Sequence, residues 1–209
     1  MTIAQSDITL HARDLPDGMS FPDGVAIDCE TMGLNPHRDR LCLVQLSGGD
    51  GHAHLVQVEK GQTSAPNLEA LLRDESVTKL FHFGRFDIAA MFHAFGALAE
   101  PVWCSKIASR LVRTYTDRHG LKALLSECLG VDISKLQQTS DWGAEELSEA
   151  QMAYAASDVL YLHRLREVLD ARLAREGRTD IAQACFDFLP TRARLDLIGY
   201  LETDIFAHS

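Results

Sequence analysis

A short apolar run with two carboxylates in its middle constrains the fold of this chain more than any other stretch. The run covers residues 25–31 (VAIDCET), and Asp28 and Glu30 stand two positions apart in it. Because successive side chains of a strand point to opposite faces, both carboxylates are expected on one face, with Ile27 and Cys29 on the other. Carboxylates side by side on a buried strand need cations, hydrogen-bond donors or protons to offset repulsion and lost hydration. The run therefore predicts either a metal site on a core strand or an edge strand whose polar face is solvated.

The length and composition favour one globular domain over residues 1–209. A chain of 209 residues buries a substantial core without disulfides, and no apolar run is long enough to span a bilayer. Residues 1–20 contain three aspartates and lack the basic start and apolar core of a secretory signal, so we expect a cytoplasmic protein. Five scattered cysteines without a CxxC pair are expected to be reduced core residues and not zinc ligands: Cys29, Cys42, Cys104, Cys128 and Cys185.

The charge distribution limits how the chain can meet a nucleic acid. Its net charge of −10 argues against wrapping a long strand by phosphate neutralisation, so any such contact is expected to be local. Cationic residues cluster in one region, and three of them fall on one helix face. This face is either solvated or contacts phosphates. The candidates for phosphate contact are Lys106, Arg110, Arg113, Arg118 and His119 in the cluster, with His82 and Arg85 outside it.

The order of the predicted elements indicates an α/β fold. After the run at 25–31, strands are predicted at residues 41–47 and 53–58, which together form an antiparallel meander, and later at 78–83 and 102–104. A weaker strand or arm precedes the run. Helices are predicted from Pro66, over 85–95, 106–113, 121–129, 148–176 and 181–188, and after Pro190. Strands first and helices later predict a mixed sheet with helices packed on it.

Two more segments carry acidic side chains in informative places. Asp87 follows the predicted strand at 78–83, where the chain turns into a helix, and a carboxylate is also favourable there simply because of the helix dipole. Tyr154 and Asp158 stand four apart on a later helix and share one face, with small residues around them that permit close approach. The alternative is a core tyrosine beside a solvated aspartate. Each segment alone is ambiguous.

Taken together, the three motifs resemble a known pattern. Asp-x-Glu on a first strand, Asp at a strand-to-helix junction and Tyr-x-x-x-Asp on a late helix resemble the DEDDy branch of the DnaQ-like 3′→5′ exonucleases, which includes ribonuclease D. The segments 34–42, 79–83, 106–122, 140–143 and 188–193 are most similar to the nano-RNase C family. The resemblance implies an RNase H-like fold with a central mixed β-sheet flanked by helices. It also implies no counterpart of the C-terminal RNA-binding helical domains of ribonuclease D.

The resemblance further implies hydrolysis of a phosphodiester by two divalent metal ions, Mg²⁺ or Mn²⁺. Asp28, Glu30 and Asp158 would hold the ion that activates water, Asp28 would also bind the second ion, and Asp87 would help to hold that second ion through water. Hard cations suit such oxygen ligands. Tyr154 would orient the attacking water, because its ordinary pKa makes it a poor base.

Two positions near the acidic strand receive separate expectations. Cys29 occupies a place where this family often has threonine, and we expect little effect on the metals because its side chain faces away from Asp28 and Glu30. In similar exonucleases an apolar side chain just after the metal strand wedges between the last two bases. The resemblance gives this role to Leu34, although a loop leucine tucked under the sheet is equally compatible with the sequence.

The function implied is a 3′→5′ exoribonuclease that degrades very short single-stranded RNA, above all dinucleotides, to nucleoside 5′-monophosphates. One alternative is a general exonuclease that trims longer RNA or DNA. A second is a catalytically silent nucleic-acid-binding protein. The resemblance also implies a homo-oligomer, a ring-shaped octamer, with the late helices and the tail at 204–209 as candidate interface. No membrane partner is expected.

Overall fold

A computed structural model describes residues 7–208, so Ser209 of the tail lies outside the described residues. Six strands form one mixed sheet in the order β1-β4-β3-β2-β5-β6. The strands β1 to β6 are Ile8–Ala12, Val25–Thr31, Leu41–Ser47, Ala53–Gln57, Lys79–Phe81 and Val102–Cys104. The helices α1 to α7 are Pro66–Arg73, Arg85–Phe95, Ser105–Val112, Leu121–Leu129, Glu149–Val159, Leu162–Arg175 and Thr179–Leu195, and a wide helical turn, the C-terminal turn, follows at Asp196–Tyr200.

The pairing of the strands confirms a mixed sheet. Strands β2, β3 and β4 form the predicted antiparallel meander, while β1 lies parallel to β4, β5 parallel to β2, and β6 parallel to β5. Strand β2 has a neighbour on each side, and Val25, Ala26 and Ile27 have no exposed surface. The acidic strand is therefore central, and the edge-strand alternative is wrong.

Two helix predictions need correction. Residues 148–176 form two helices and not one, because a turn at residues 160–161 separates α5 from α6. After this turn α6 buries Leu162, Leu165, Leu169 and Leu173 in the core. Helix α7 runs through Pro190, where we expected a break, because burial of Leu189 and Ala193 on either side offsets the hydrogen bond that proline cannot donate. Packing outweighs local preference in both places.

Strand β5 and the cysteines also differ from expectation. The strand stops at Phe81 and not at residue 83, because Phe83 takes a positive φ of 63° that no strand accommodates. Cys128 is only partly buried and Cys185 is exposed, so the expectation of five core cysteines holds for three of them. No helix in residues 7–208 is both long and apolar enough to cross a membrane.

Candidate active site

The carboxylates of β2 lie just beyond the end of its parallel neighbour. Strand β5 pairs with β2 only at Val25 and Ala26, so the half of β2 that carries Asp28 and Glu30 is left open on that side. On the other side, β3 pairs with this half throughout, and Asp28 lies opposite Gln45. The unpaired side of β2 therefore leaves a notch in the sheet, where residues of α2 and α5 approach Asp28 and Glu30.

Asp87 reaches this notch through a tight turn between β5 and α2. A Cβ on Gly84 would lie 2.6 Å from the Cβ of Phe81, so the turn requires glycine there. Helix α2 begins directly afterwards, and Asp87 in its first turn is 3% exposed. Its Oδ1 accepts hydrogen bonds from the backbone N of Cys29 (3.1 Å) and from the Cys29 Sγ (3.2 Å). The aspartate thus takes the place of a strand partner that β5 is too short to provide.

Helix α5 supplies the remaining pair. Ser148 caps its start and exchanges hydrogen bonds with Gln151 in a capping box. Two turns further on, Tyr154 and Asp158 project from one face toward the β2 carboxylates. Oxygen atoms of Asp28, Glu30 and Asp158 all lie within 4.8 Å of one another. This spacing and the hard donor set fit a divalent ion such as Mg²⁺ or Mn²⁺.

The electrostatics of the protein alone favour a bound cation. Burial raises the pKa of Asp28 well above its usual range, and repulsion from Asp87, Asp158 and Glu30 adds to this. Burial, with repulsion from Asp158 and Asp87, raises the pKa of Glu30 to about 9. Burial also raises the pKa of Asp87 and of Asp158. The cluster therefore holds protons when it binds no metal and exchanges them for a cation when it does.

Tyr154 is a neutral hydroxyl in this setting. Burial, followed by the negative charges of Asp158, Glu30 and Asp28, raises its pKa far above the ordinary value. Its ring packs against Trp142, with centroids 5.9 Å apart. The tyrosine can therefore donate or accept a hydrogen bond from a fixed position, but it cannot act as a base near neutral pH.

The carboxylates form the floor of a cleft of about 750 Å³. Leu34 stands at its mouth with 81% of its surface exposed, so it is not tucked under the sheet. The loop around Leu34 is held by Asp39, whose Oδ2 accepts a hydrogen bond from the Asn35 backbone at 3.0 Å. An exposed apolar side chain on a braced loop is well placed to contact a ligand in the cleft.

Two of the predicted phosphate contacts also line the cleft. The Nδ1 of His82 is hydrogen-bonded to Ser105 Oγ at 2.8 Å, while no hydrogen bond to its Nε2 is found in residues 7–208. Burial, followed by the positive charges of Lys106 and Lys135, lowers the pKa of His82 to about 3, so the imidazole is neutral. The Lys106 ammonium lies 4.1 Å from the centroid of the Phe83 ring. His82 and Lys106 therefore bring one neutral imidazole and one positive charge to the lining of the cleft.

The structure gives the other predicted phosphate contacts different surroundings, and none of them lines the cleft. Arg85 binds Asp196 of the C-terminal turn through two hydrogen bonds of 2.5 and 2.7 Å. Arg113 is 1% exposed and is bonded to Glu127, which leaves it no access to a ligand. His119 is hydrogen-bonded to Ser109 at 2.8 Å. Arg110 and Arg118 are exposed on the surface.

Three features of the site escaped sequence analysis. Gln45 donates to Asp28, and the only signal for it was a polar residue inside an otherwise apolar strand. Lys135 lines the cleft from a loop whose position no periodicity reveals. Cys29 lies on the opposite face of β2 from Asp28 and Glu30, yet its thiol donates to Asp87, a contact that depends on the packing of α2 and that the sequence does not reveal.

The fold and the site define a 3′-5′ exonuclease domain. Residues 12–174 match the model of the 3′-5′ exonuclease family, and the chain belongs to that family. Within it the chain is a ribonuclease D homologue, 39% identical over 166 residues to the ribonuclease D of Acidiphilium cryptum, a match that covers 79% of this chain and 42% of that protein. The chain thus spans about two-fifths of the length of this curated relative.

Solved structures agree with this assignment. Brucella melitensis NrnC superposes with a TM-score of 0.96 and 64% identity, covering 98% of this chain and 100% of the other. Further structures of the same protein contain bound Mg²⁺ or bound pGG. Escherichia coli RNase D, described as an exoribonuclease involved in structured RNA processing, superposes with a TM-score of 0.72 at 27% identity, covering 82% of this chain and 45% of the other.

Proposed function

We propose that this chain is a metal-dependent 3′→5′ exoribonuclease, one domain over residues 1–209, that degrades very short RNA to nucleoside 5′-monophosphates, with dinucleotides as preferred substrates. One observation carries the proposal. Three carboxylates from β2 and α5 converge within 4.8 Å at the floor of a cleft, and Asp87 is fixed beside them. All four acidic residues and the tyrosine of the family pattern are present, which disfavours a silent binding protein.

The chemistry follows from the donor set. Two divalent ions bound there would supply an activated water, neutralise charge at phosphorus and assist the leaving oxygen. Asp28, Glu30 and Asp158 would hold one ion, and Asp28 with Asp87 the other. The bound Mg²⁺ in Brucella NrnC supports the metal class, while the stoichiometry of two and the use of Mn²⁺ are part of the proposal.

The chain's own groups orient the reactants. Tyr154 is a neutral hydroxyl, so it would hold the attacking water by a hydrogen bond without taking its proton. Leu34 would lie between the last two bases of the substrate at the mouth of the cleft. His82 and Lys106, which line the same cleft, would contact its phosphates, and Lys106 would supply positive charge.

Several observations support a short substrate. The cationic residues that line the cleft are few, and the net charge of −10 opposes binding along an extended strand. Brucella NrnC, 64% identical, has been solved with pGG, whose name denotes two linked guanosines. A general exonuclease acting on longer RNA or DNA remains the competing function, favoured by the relationship to ribonuclease D.

We further propose that the protein is cytoplasmic and assembles into a ring-shaped homo-octamer. Large apolar side chains on the late segments, Ile198 at 70% and Phe206 at 77% exposure, support burial against another copy.

The direct test of the chemistry uses end-labelled RNA. With Mg²⁺, the protein is expected to release 5′-monophosphates one at a time from the 3′ end, and Asp28→Ala is expected to abolish release while the fold survives. Asp180→Asn, a change at an exposed aspartate of α7, serves as a matched control and should be fully active. Binding without cleavage by the wild type would instead support the silent binding protein.

A further inference from the structure

Gln45 is a polar side chain in a place where the chain otherwise buries apolar ones. It stands in the middle of β3, whose seven residues are all buried, and it has no exposed surface. Its cross-strand neighbours are Asp28 on β2 and Leu55 on β4. Leu43, two positions earlier on the same face of β3, is also fully buried. A glutamine here therefore meets one carboxylate in otherwise apolar surroundings.

When Asp28 is ionised, the amide of Gln45 can meet it in only one favourable orientation. Its Nε2 lies 3.3 Å from Asp28 Oδ2 and donates a hydrogen bond to it. The reverse orientation would place the amide oxygen against a carboxylate oxygen, which repels it when the carboxylate is ionised. The hydrogen bond engages Oδ2 of Asp28. Gln45 thus restricts how the Asp28 carboxylate can rotate.

The other end of the amide is unsatisfied. Gln45 Oε1 is buried and has no hydrogen-bond partner among the described residues. An unpaired buried acceptor destabilises the fold, and an apolar residue of similar volume would avoid that cost. Neither a carboxylate nor an ammonium would serve in its place, since the first would add repulsion to four acidic groups and the second would compete with a bound cation. Glutamine provides a neutral hydrogen-bond donor, which avoids both effects.

We propose that Gln45 is a positioning residue of the metal site, which holds the Asp28 carboxylate in the orientation that binds the metal ions. The inference rests on the proposed metal-dependent function, and it adds a residue to which no role is assigned by the family pattern of four acids and a tyrosine. Hydrogen bonds from outside the ligand set typically change metal affinity or activity by about 10- to 100-fold. Gln45 is expected to act at the lower end of that range, because its bond to Asp28 is long.

The test is a calorimetric titration of the metal-free protein with Mn²⁺. Gln45→Met keeps the length and volume of the side chain and removes the amide. We expect it to bind Mn²⁺ about 10-fold more weakly and to need about 10-fold more Mn²⁺ for half-maximal cleavage, with the KM for RNA unchanged. Gln57→Met is the matched control, since Gln57 is a glutamine of the adjacent strand whose Nε2 donates to the carbonyls of Ala144 and Glu145 and not to a metal ligand.

Folding is checked first by circular dichroism and by the metal-free Tm. If Gln45→Met is destabilised, Gln45→Leu provides a second apolar variant of similar volume. A folded Gln45 variant with wild-type Mn²⁺ affinity would overturn the inference, and so would an equal loss of affinity in Gln57→Met. Because the titration needs no RNA, it tests the role of Gln45 even if the wild type fails to cleave RNA, which would overturn the proposed function alone.

Discussion

Cys29 shows how a residue on the wrong face of a strand can still belong to a site. Its side chain points away from Asp28 and Glu30, yet its thiol and its backbone N–H both donate to Asp87. This is possible because β5 ends before Cys29, so α2 packs where a strand would otherwise lie. The alternation of the strand predicts the face on which Cys29 lies, but only the position of α2 reveals that Asp87 is its hydrogen-bond partner.

The contact between the Cys29 thiol and Asp87 can be tested by substituting Cys29. We expect Cys29→Val, which loses the donor at similar size, to weaken Mn²⁺ binding by about 0.5–1.5 kcal/mol, roughly 2- to 13-fold, because Asp87 is less firmly held. Cys29→Ser keeps a donor and should stay close to the wild type. Calorimetry with Mn²⁺ measures the change, and Cys185→Val, at an exposed cysteine, is the control. Wild-type affinity in Cys29→Val would mean that the backbone N–H holds Asp87 without help.

The raised pKa of Glu30 predicts a pH-dependent stability. In the metal-free fold, burial and repulsion from Asp158 and Asp87 raise this pKa from 4.5 to about 9, so the folded protein keeps a proton that the unfolded chain has lost. Unfolding then releases a proton, and stability falls as pH rises between these values. With EDTA present, the Tm should fall more steeply from pH 7 to 8 in the wild type than in Glu30→Gln.

Saturating Mg²⁺ should remove the difference between the two slopes, because a bound cation replaces the proton on the carboxylate cluster. Scanning calorimetry at several pH values supplies the data. Parallel slopes for wild type and Glu30→Gln without metal would show that Glu30 is already ionised in the fold.

Among the secondary-structure elements, helix α5 is the part of the site that the sequence predicts most completely. Ser148 at its start, the spacing of Tyr154 and Asp158, and the small residues between them all indicate a helix lying close to the sheet. What the sequence could not show is where α5 ends, since α6 restarts after Tyr161 to bury its own leucines. Long-range partners were equally hidden, as when Arg85 binds Asp196, 111 positions away. Such pairings depend on the packed fold and not on local pattern.

The capping box of α5 should contribute to stability more than to chemistry. Ser148→Ala removes the hydroxyl that accepts from the Gln151 backbone, which costs about 1 kcal/mol and lowers the Tm by roughly 2–4 °C for a chain of this size. Activity at 25 °C should change little, because packing against the sheet still holds Tyr154 and Asp158. Ser126, an exposed residue in the middle of α4, provides the control. Ser126→Ala should be neutral or slightly stabilising. If both variants lower the Tm, the loss in Ser148→Ala does not come from the cap.

At the scale of the whole molecule, the apolar side chains left on the surface favour self-association. Leu136 is 87% exposed beside the cleft, and Ile198 and Phe206 are exposed near the C-terminal turn. We expect light scattering at micromolar concentration to give a mass several times that of one chain. Phe206→Ser and Ile198→Ser together should shift the distribution toward smaller species without unfolding it. A monomer mass for the wild type would contradict the proposed ring.

The proposed preference for dinucleotides can be tested by varying the length of the substrate. The measurement is the turnover of 5′-phosphorylated RNAs from two to seven nucleotides long with Mg²⁺ or Mn²⁺, with Asp28→Ala as the blank. The proposed preference for dinucleotides predicts that the dinucleotide is consumed far faster than the heptanucleotide, in a reaction that EDTA and the Asp28→Ala change both abolish. Similar rates at every length, with products that shorten one nucleotide at a time, would contradict the account and identify a general trimming exonuclease.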